Sequence, residues 1–174
     1  MAVPTVRLTG RERTFGDDEI IVSKTDVKGR ITYANPVFLR VAGYDEDDLL
    51  GKPHNIIRHP DMPACVFELL WATISAGREL FAYVLNLAAD GDEYWVYAHI
   101  TPTFDARRQI IGYHSSRRSP NPAALRKVKP LYAALLAEER KHASKKDGIA
   151  AGRRKLTEFL AGAGKTYDEL VWSL

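Results

Sequence analysis

Between residues 51 and 63 the chain reads GKPHNIIRHPDMP, and this stretch holds His54, Asn55, Arg58, His59 and Asp61. Two imidazoles, a guanidinium, a carboxylate and a carboxamide supply hydrogen-bond donors, acceptors and titrating groups, but little that a packed core can use. Pro53 and Pro60 bias Lys52 and His59 toward extended backbone, and Pro63 is placed to open the next helix as its first residue. A segment stiffened in this way can aim polar side chains into a cleft. The competing reading is a surface loop whose charges are simply solvated.

A second chemical signal lies in a strand. Asn86 is in line with Leu80, Ala82, Val84 and Ala88 on one face of an alternating run. A carboxamide on an apolar face needs partners, because leaving it bare costs roughly 1–3 kcal/mol. Its two donors and one carbonyl suit the edge of a planar heterocycle such as a flavin or pterin; bonds to neighbouring backbone are the alternative. The small side chains of Ala82 and Ala88 leave room for a flat guest, and Trp71 could wall the space or be plain core. The opposite face, Phe81, Tyr83, Leu85 and Leu87, is apolar too. Something must therefore cover the outside: the N-terminal lead-in, the C-terminal helices or a second subunit.

Catalytic patterns are missing. The sequence has no Ser-His-Asp spacing, HExxH, glycine-rich phosphate loop or EF-hand, and no nucleophile accompanies His59 and Asp61. The chain is read as a non-enzyme. Cys65, the single cysteine, opens an apolar helical run and reads as a buried core residue. A lone histidine could ligate haem iron, which keeps haem among the alternatives.

The elements that must position these groups follow in order. Residues 1–18 read as a lead-in that could contain a short helix. Residues 19–25 and 30–33 form a hairpin about Asp26–Gly29, and Asn35-Pro36 caps a helix that stops at Gly43. An acid-led helix over 46–50, the loop, a helix over 64–76, and strands over 80–88, 93–103 and 109–118 complete the core. This order predicts an α+β domain, a five-stranded antiparallel sheet with short helices on one face, plus a C-terminal helical extension. The domains read as lead-in 1–18, a core domain 19–118 and a helical extension 119–174. In the extension, a helix opened by Asn121-Pro122 is kinked by Pro130 and broken at Asp147-Gly148; a second runs over 149–160, and a last helix over 167–174.

The net charge of +3 is unevenly spread: residues 1–116 are net negative and residues 117–174 strongly net positive. Arg117, Arg118, Arg126, Lys127, Lys129, Arg140, Lys141, Lys145, Lys146, Arg153, Arg154 and Lys155 carry the excess. They lack interleaved aromatics and a helix-turn-helix pattern, so they read as a solvated helix face rather than a nucleic-acid or membrane contact. No run reaches the ~20 apolar residues of a membrane span and no signal peptide opens the chain, so a cytoplasmic location is expected.

The order of elements, with DVKGRITYANPVFLRVAGYDEDDLLGKPHNIIRHPDMP, then FELLWATISAG, DGDEYWVYAHITP and IIGYHSSR, resembles a PAS domain. More narrowly it resembles the FAD-binding PAS sensors of the bacterial aerotaxis-receptor type, over about residues 18–137. The resemblance implies a sheet cupping the FAD ring, with Arg58, His59 and Asp61 needed for flavin binding, Asn86 at the ring edge and Trp71 near the cofactor. Asn35 and His54 are counted with them as cofactor-binding residues. It also implies a redox or oxygen sensor for aerotaxis or energy taxis, acting on a signalling partner through the sheet face or the C-terminal helices, as a homodimer. Unlike that family, the chain has Leu80 in place of a Trp, and Leu85, Leu87, Ala88 and Ala89 where a basic run is usual. Blue-light relatives form a flavin adduct with a loop cysteine; this loop has none, so adduct photochemistry is not expected. A cofactor-free PAS interaction module is the other alternative.

Overall fold

The structure is a computed structural model and describes residues 6–174. The first five residues of the predicted lead-in lie outside the described residues.

Strands β1 (Ile21–Thr25) and β2 (Ile31–Ala34) form the first hairpin. Its turn is built by Asp26, whose carboxylate accepts from the Lys28 and Arg30 amides at 2.8 and 2.9 Å. Asn35 then does two jobs. Its Oδ1 accepts from the Phe38 amide, capping helix α1 (Pro36–Ala42), and also from the Val22 amide, while its Nδ2 donates to the Ile20 carbonyl. The cap thus fixes α1 to the first strand as well as starting it. Gly43, left-handed at φ 69°, ends α1. Helix α2 (Glu46–Leu49), a 3₁₀ turn at His54–Ile57 and helix α3 (Ala64–Ser75) follow. Strands β3 (Leu80–Leu87), β4 (Glu93–Phe104) and β5 (Ile110–Arg118) complete a sheet of order β2-β1-β5-β4-β3, every pair antiparallel. This is the expected α+β architecture.

Strand alternation sets the inner face. Leu80, Ala82, Val84, Asn86 and Ala88 share it with Tyr94, Val96, Ala98 and Ile100 of β4 and with Tyr113, Ser115 and Arg117 of β5; all are buried. The outer face of β3 and β4 is closed by the C-terminal helices α4 (Pro122–Glu139) and α6 (Tyr167–Trp172). The Tyr132 hydroxyl donates to the Tyr83 carbonyl at 2.8 Å, its ring lies 6.0 Å from Trp95, and Trp172 meets Phe81 edge-on at 5.9 Å. Of the three covers considered from sequence, the C-terminal helices supply this one. The lead-in straps the β3–β4 turn instead: backbone bonds join Arg11 and Arg13 to Glu93, and the Thr9 hydroxyl donates to Asp92 at 2.6 Å. No helix occurs in the lead-in among the described residues.

Two helix boundaries differ from expectation. Helix α4 runs on through Pro130, and the break falls after Glu139; helix α5 (Lys145–Ala163) starts from a Ser144 cap and passes straight through Gly148. The reason is close packing. A Cβ at Gly148 would lie 2.6 Å from the Glu139 carbonyl oxygen, and one at Gly152 would lie 2.9 Å from the Glu139 side chain and 3.1 Å from Cys65 Sγ. These glycines let α5 close on α3 and the end of α4, rather than ending a helix.

Glu139 also caps α3 from a distance, its carboxylate accepting from the Ala64 and Cys65 amides at 2.9 and 2.7 Å. Those donors have no partner within their own helix. Glu139→Ala is expected to destabilise the fold by about 1–2 kcal/mol, read by urea melts, with Glu139→Gln recovering part of the loss. Equal stability of Glu139→Ala and the parent chain would show that the cap is idle.

Candidate functional site

Between the inner sheet face and the 3₁₀ turn with α3 lies a cavity of about 390 Å³, within the ~300–1,000 Å³ span of small-molecule sites. Its walls are mainly apolar: Leu70 and Ile74 of α3 face Val84, Ala98 and Ile100 of the sheet. Its exposed lining residues are Lys28, Glu68, Trp71 and Lys145, with Gly29 and Ile149 of α5 also lining it. Trp71 meets Tyr113 edge-on at 5.5 Å and sits directly over Gly29, where a Cβ would fall 2.9 Å from the indole. Gly29 at φ +75° therefore serves the turn and admits the indole together.

Polar groups on the walls are set by strand parity and by the loop. The Arg58 backbone bridges to that of Asn86, zipping the loop to the edge strand, and its guanidinium lies 4.3 Å above the Phe67 ring. Asn86 is 4% exposed, Ser115 7% and Arg117 4%. All three line the cavity, and Asn86 Nδ2, Ser115 Oγ and Arg117 Nη1 have no hydrogen-bond partner. Buried polar atoms are rarely left so, and three on the residues of one cavity make it the candidate ligand site. The two nitrogens can only donate, so a ligand that satisfied them would present acceptor atoms.

Arg117 is the strongest feature. Its Nη2 donates to Ser23 Oγ at 2.9 Å and His54 Nε2 at 2.6 Å, and its guanidinium lies 5.2 Å over Phe38. Because the arginine can only donate, His54 Nε2 is an acceptor and the ring carries its proton on Nδ1. Burial pulls Arg117 down to about 10, and burial together with the Arg117 charge holds His54 well below the usual histidine value. His54 is accordingly neutral at pH 7.

That shift has a stability consequence. A histidine depressed in the fold leaves the unfolded chain to take up the proton first, so stability is intact above the ordinary histidine value of 6.5 and falls as pH drops through it. His59 and His114, also lowered by burial, act with the same sign. The melting temperature is expected to fall between about pH 7 and 5, with His54→Gln, which keeps an acceptor for Arg117, giving a shallower slope. An unchanged slope in that variant would remove His54 from this role.

The residues singled out from sequence separate into two groups. His54, Arg58, Trp71 and Asn86 line the cavity, as does Asn55. Asn35, His59 and Asp61 do not. Asn35 caps α1; His59, 2% exposed, accepts from the Asp61 amide and lies 3.5 Å from Glu93; Asp61 is an exposed partner of Arg140 at 2.7 Å. The sequence reading missed Ser23, Ser115 and Arg117. Arg117 in particular is not part of a solvated basic face: it is buried in the sheet, and its inward parity with Tyr113 and Ser115 was the available signal. Several other basic residues of the extension form ion pairs, Lys129 with Glu12, Arg153 with Glu68, and Lys141 and Lys155 with Glu138. Cys65 is buried outside the cavity, its thiol pushed up by burial and by Glu139. Among the described residues no helix is long and apolar enough to cross a membrane, and no cluster of three or more His, Cys, Asp or Glu is placed to hold a metal ion.

Comparison with known proteins agrees with this architecture. A family profile described as the PAS fold matches residues 31–117. The aerotaxis receptor of Escherichia coli is 38% identical over 130 residues, covering 75% of this chain and 26% of the receptor, so the chain spans about a quarter of that relative's length. Among solved structures, the light state of the blue-light photoreceptor Aureochrome1 LOV superposes with a TM-score of 0.56 at 22% identity, over 70% of this chain and 91% of that one. A light-oxygen-voltage domain from work with a flavin analogue gives 0.56 at 19% identity, over 64% and 83%. Sheet order, helix placement and the matched residues lead to one conclusion: the chain belongs to the PAS family.

Proposed function

We propose that the chain is a redox or oxygen sensor whose cavity holds a flavin, FAD, and which signals by contact with a protein partner. The observation that carries this reading is that Asn86, Ser115 and Arg117, three buried residues of one cavity's lining, each hold a side-chain polar atom without a protein partner. A flavin ring supplies what that lining lacks, a flat apolar body with carbonyl and ring-nitrogen acceptors along one edge. The relation to the aerotaxis receptor supports the sensory role.

In this reading Asn86, Ser115 and Arg117 bind the polar edge, while Trp71, Arg58 and His54 close the space around the ring. Asn35, His59 and Asp61 act through the frame: Asn35 fixes α1 to β1, His59 steadies the loop against Glu93, and Asp61 ties it to α4 through Arg140. Flavin supplies reversible electron uptake when bound. The protein's part is to let the changed hydrogen-bond demand at Asn86 reach the surface. Two routes exist: the Arg58–Asn86 bridge into the loop, and the loop's ties to α4 through Asp61–Arg140 and the Glu139 cap. With the outer face of β3 and β4 covered by α4 and α6, the open part of the sheet carries the exposed Tyr33 beside Lys24 and His114. That surface and the C-terminal helices are where a second copy or a signalling partner docks.

The test is to denature the purified chain and chromatograph what is released against FAD, FMN and haem standards. FAD in near-stoichiometric amount is expected; haem or another ring in its place refutes the assignment.

A further inference from the structure

Where the β1–β2 and β4–β5 turns meet at one end of the sheet, the fold leaves apolar side chains in water: Val27 is 49% exposed, Phe104 42% and Ile111 55%. They are neighbours. Thr103 pairs with Gly112 but Phe104 pairs with Ile110, so Ile111 is the extra residue of a β-bulge, set beside Phe104. A Cβ at Gly112 would lie 3.6 Å from Asp26 Cα, so the start of β5 runs against the turn that carries Val27. The α3–β3 connection reaches the same end, a Cβ at Gly77 falling 3.6 Å from the Phe104 ring.

The outward charge at this end is cationic. Arg78, Arg107 and Arg108 are exposed and belong to no ion pair among the described residues. The acids nearby are turned to other partners. Asp26 Oδ1 accepts from the Lys28 and Arg30 amides, Asp105 Oδ1 accepts from the Arg107 and Gln109 amides at 2.8 Å each, and Glu79 is tied to His99 at 2.7 Å.

We propose that this end of the sheet docks on an anionic lipid surface, with Val27, Phe104 and Ile111 entering the headgroup layer and the three arginines meeting lipid phosphates. Shape and charge select that occupant. None of the six residues lines the central cavity or the groove between α4 and α6, so the patch offers no recess for a partner's side chain. A projecting apolar tip flanked by guanidinium groups is matched by a surface that is deformable, apolar beneath and negatively charged above, and a bilayer interface is all three. Guanidinium also pairs with phosphate through two parallel hydrogen bonds. The inference is independent of the flavin reading and stands whatever the cavity holds.

The test is co-sedimentation of the full chain with vesicles of neutral phosphatidylcholine and with vesicles that also contain about 30 mol % phosphatidylglycerol, in about 50 mM salt, where surface attraction is only partly screened. Binding to the anionic vesicles and not to the neutral ones is expected. Arg78→Gln with Arg107→Gln should weaken it on the order of tenfold or more, since each basic side chain at an anionic surface contributes roughly fivefold. Val27→Ser with Ile111→Ser should weaken it on the order of tenfold through lost apolar burial. Arg126→Gln with Lys127→Gln removes the same charge from α4 and should weaken it far less. A loss in that control as large as in the Arg78 and Arg107 pair means that net charge alone draws the chain to the vesicle, and overturns the patch. Unchanged binding in Val27→Ser with Ile111→Ser, or no binding by the parent, overturns it too. If the parent instead self-associates in sedimentation velocity, binds no vesicle, and is dispersed by Val27→Ser with Ile111→Ser, a second copy covers this end and the lipid proposal fails. A polarity-sensitive dye on Val27→Cys gives a readout that needs no weakened variant, and labelling is selective because Cys65 is buried. Its emission is expected to move to shorter wavelength on anionic vesicles; a fixed emission places Val27 outside the headgroup layer and refutes the docking.

Discussion

Asn86→Leu is expected to move two quantities in opposite directions, raising the melting temperature of the ligand-free chain while weakening retention of the ligand. The Asn86 amide nitrogen is buried without a protein partner, on a wall it shares with Val84, Ala98 and Ile100. Removing an unsatisfied buried donor recovers about 1–3 kcal/mol, and the added apolar contact works in the same direction. On the proposed flavin reading the same change deletes a hydrogen bond to the ring, which corresponds to roughly tenfold to hundredfold in affinity. Thermal melts of stripped protein, set beside flavin titration of the same sample, read both. A stripped variant less stable than the parent would mean that Asn86 is a structural residue whose partner is protein. Stabilisation with unchanged affinity would take Asn86 out of the site.

A loss of stability is expected from a single methyl group at Gly112. A Cβ there would lie 2.2 Å from the Thr25 carbonyl oxygen, which is backbone and cannot rotate away. Thr25 pairs with Tyr113 at the end of the β1–β5 ladder, beside the turn that supports Trp71. Gly112→Ala must spread those strands, at a cost at the upper end of the ~1–3 kcal/mol seen for overpacking; for a chain of this size that is roughly 6–12 °C in melting temperature. Gly162→Ala is the matched control. It lies in α5 with nothing within 4 Å of the added carbon, and should stabilise by about 0.5–1 kcal/mol. If both variants melt alike, close strand approach is not what requires glycine at position 112.

Local chemistry made much of this fold legible from sequence. Asn35-Pro36 announces a helix start because cap and first-turn geometry need only neighbouring residues, and Asp26 with Gly29 announces a turn for the same reason. Alternation along 80–88 identified two buried faces and placed Asn86 on the inner one. What could not be read depends on contacts distant in sequence. Gly148 looks like a helix stop until Glu139 is known to pass 2.6 Å from its missing side chain. The polar residues of 51–63 look equivalent on paper, yet the 3₁₀ turn sends His54 inward while Asp61 faces Arg140 at the surface. Such a turn has no period from which side-chain direction can be counted. Arg117 sits at the seam where basic residues begin to predominate, and composition drew it to the wrong side of that seam. Parity with Tyr113 and Ser115 carried the opposite signal, and the structure follows parity.

Electron uptake by a ring inside this cavity is tested most directly by an absorbance spectrum of the purified full chain before and after addition of dithionite. The two blue and near-ultraviolet bands of oxidised flavin are expected, bleaching on reduction and returning in air. A folded chain that is colourless as purified, and stays so after incubation with excess FAD and desalting, would contradict it.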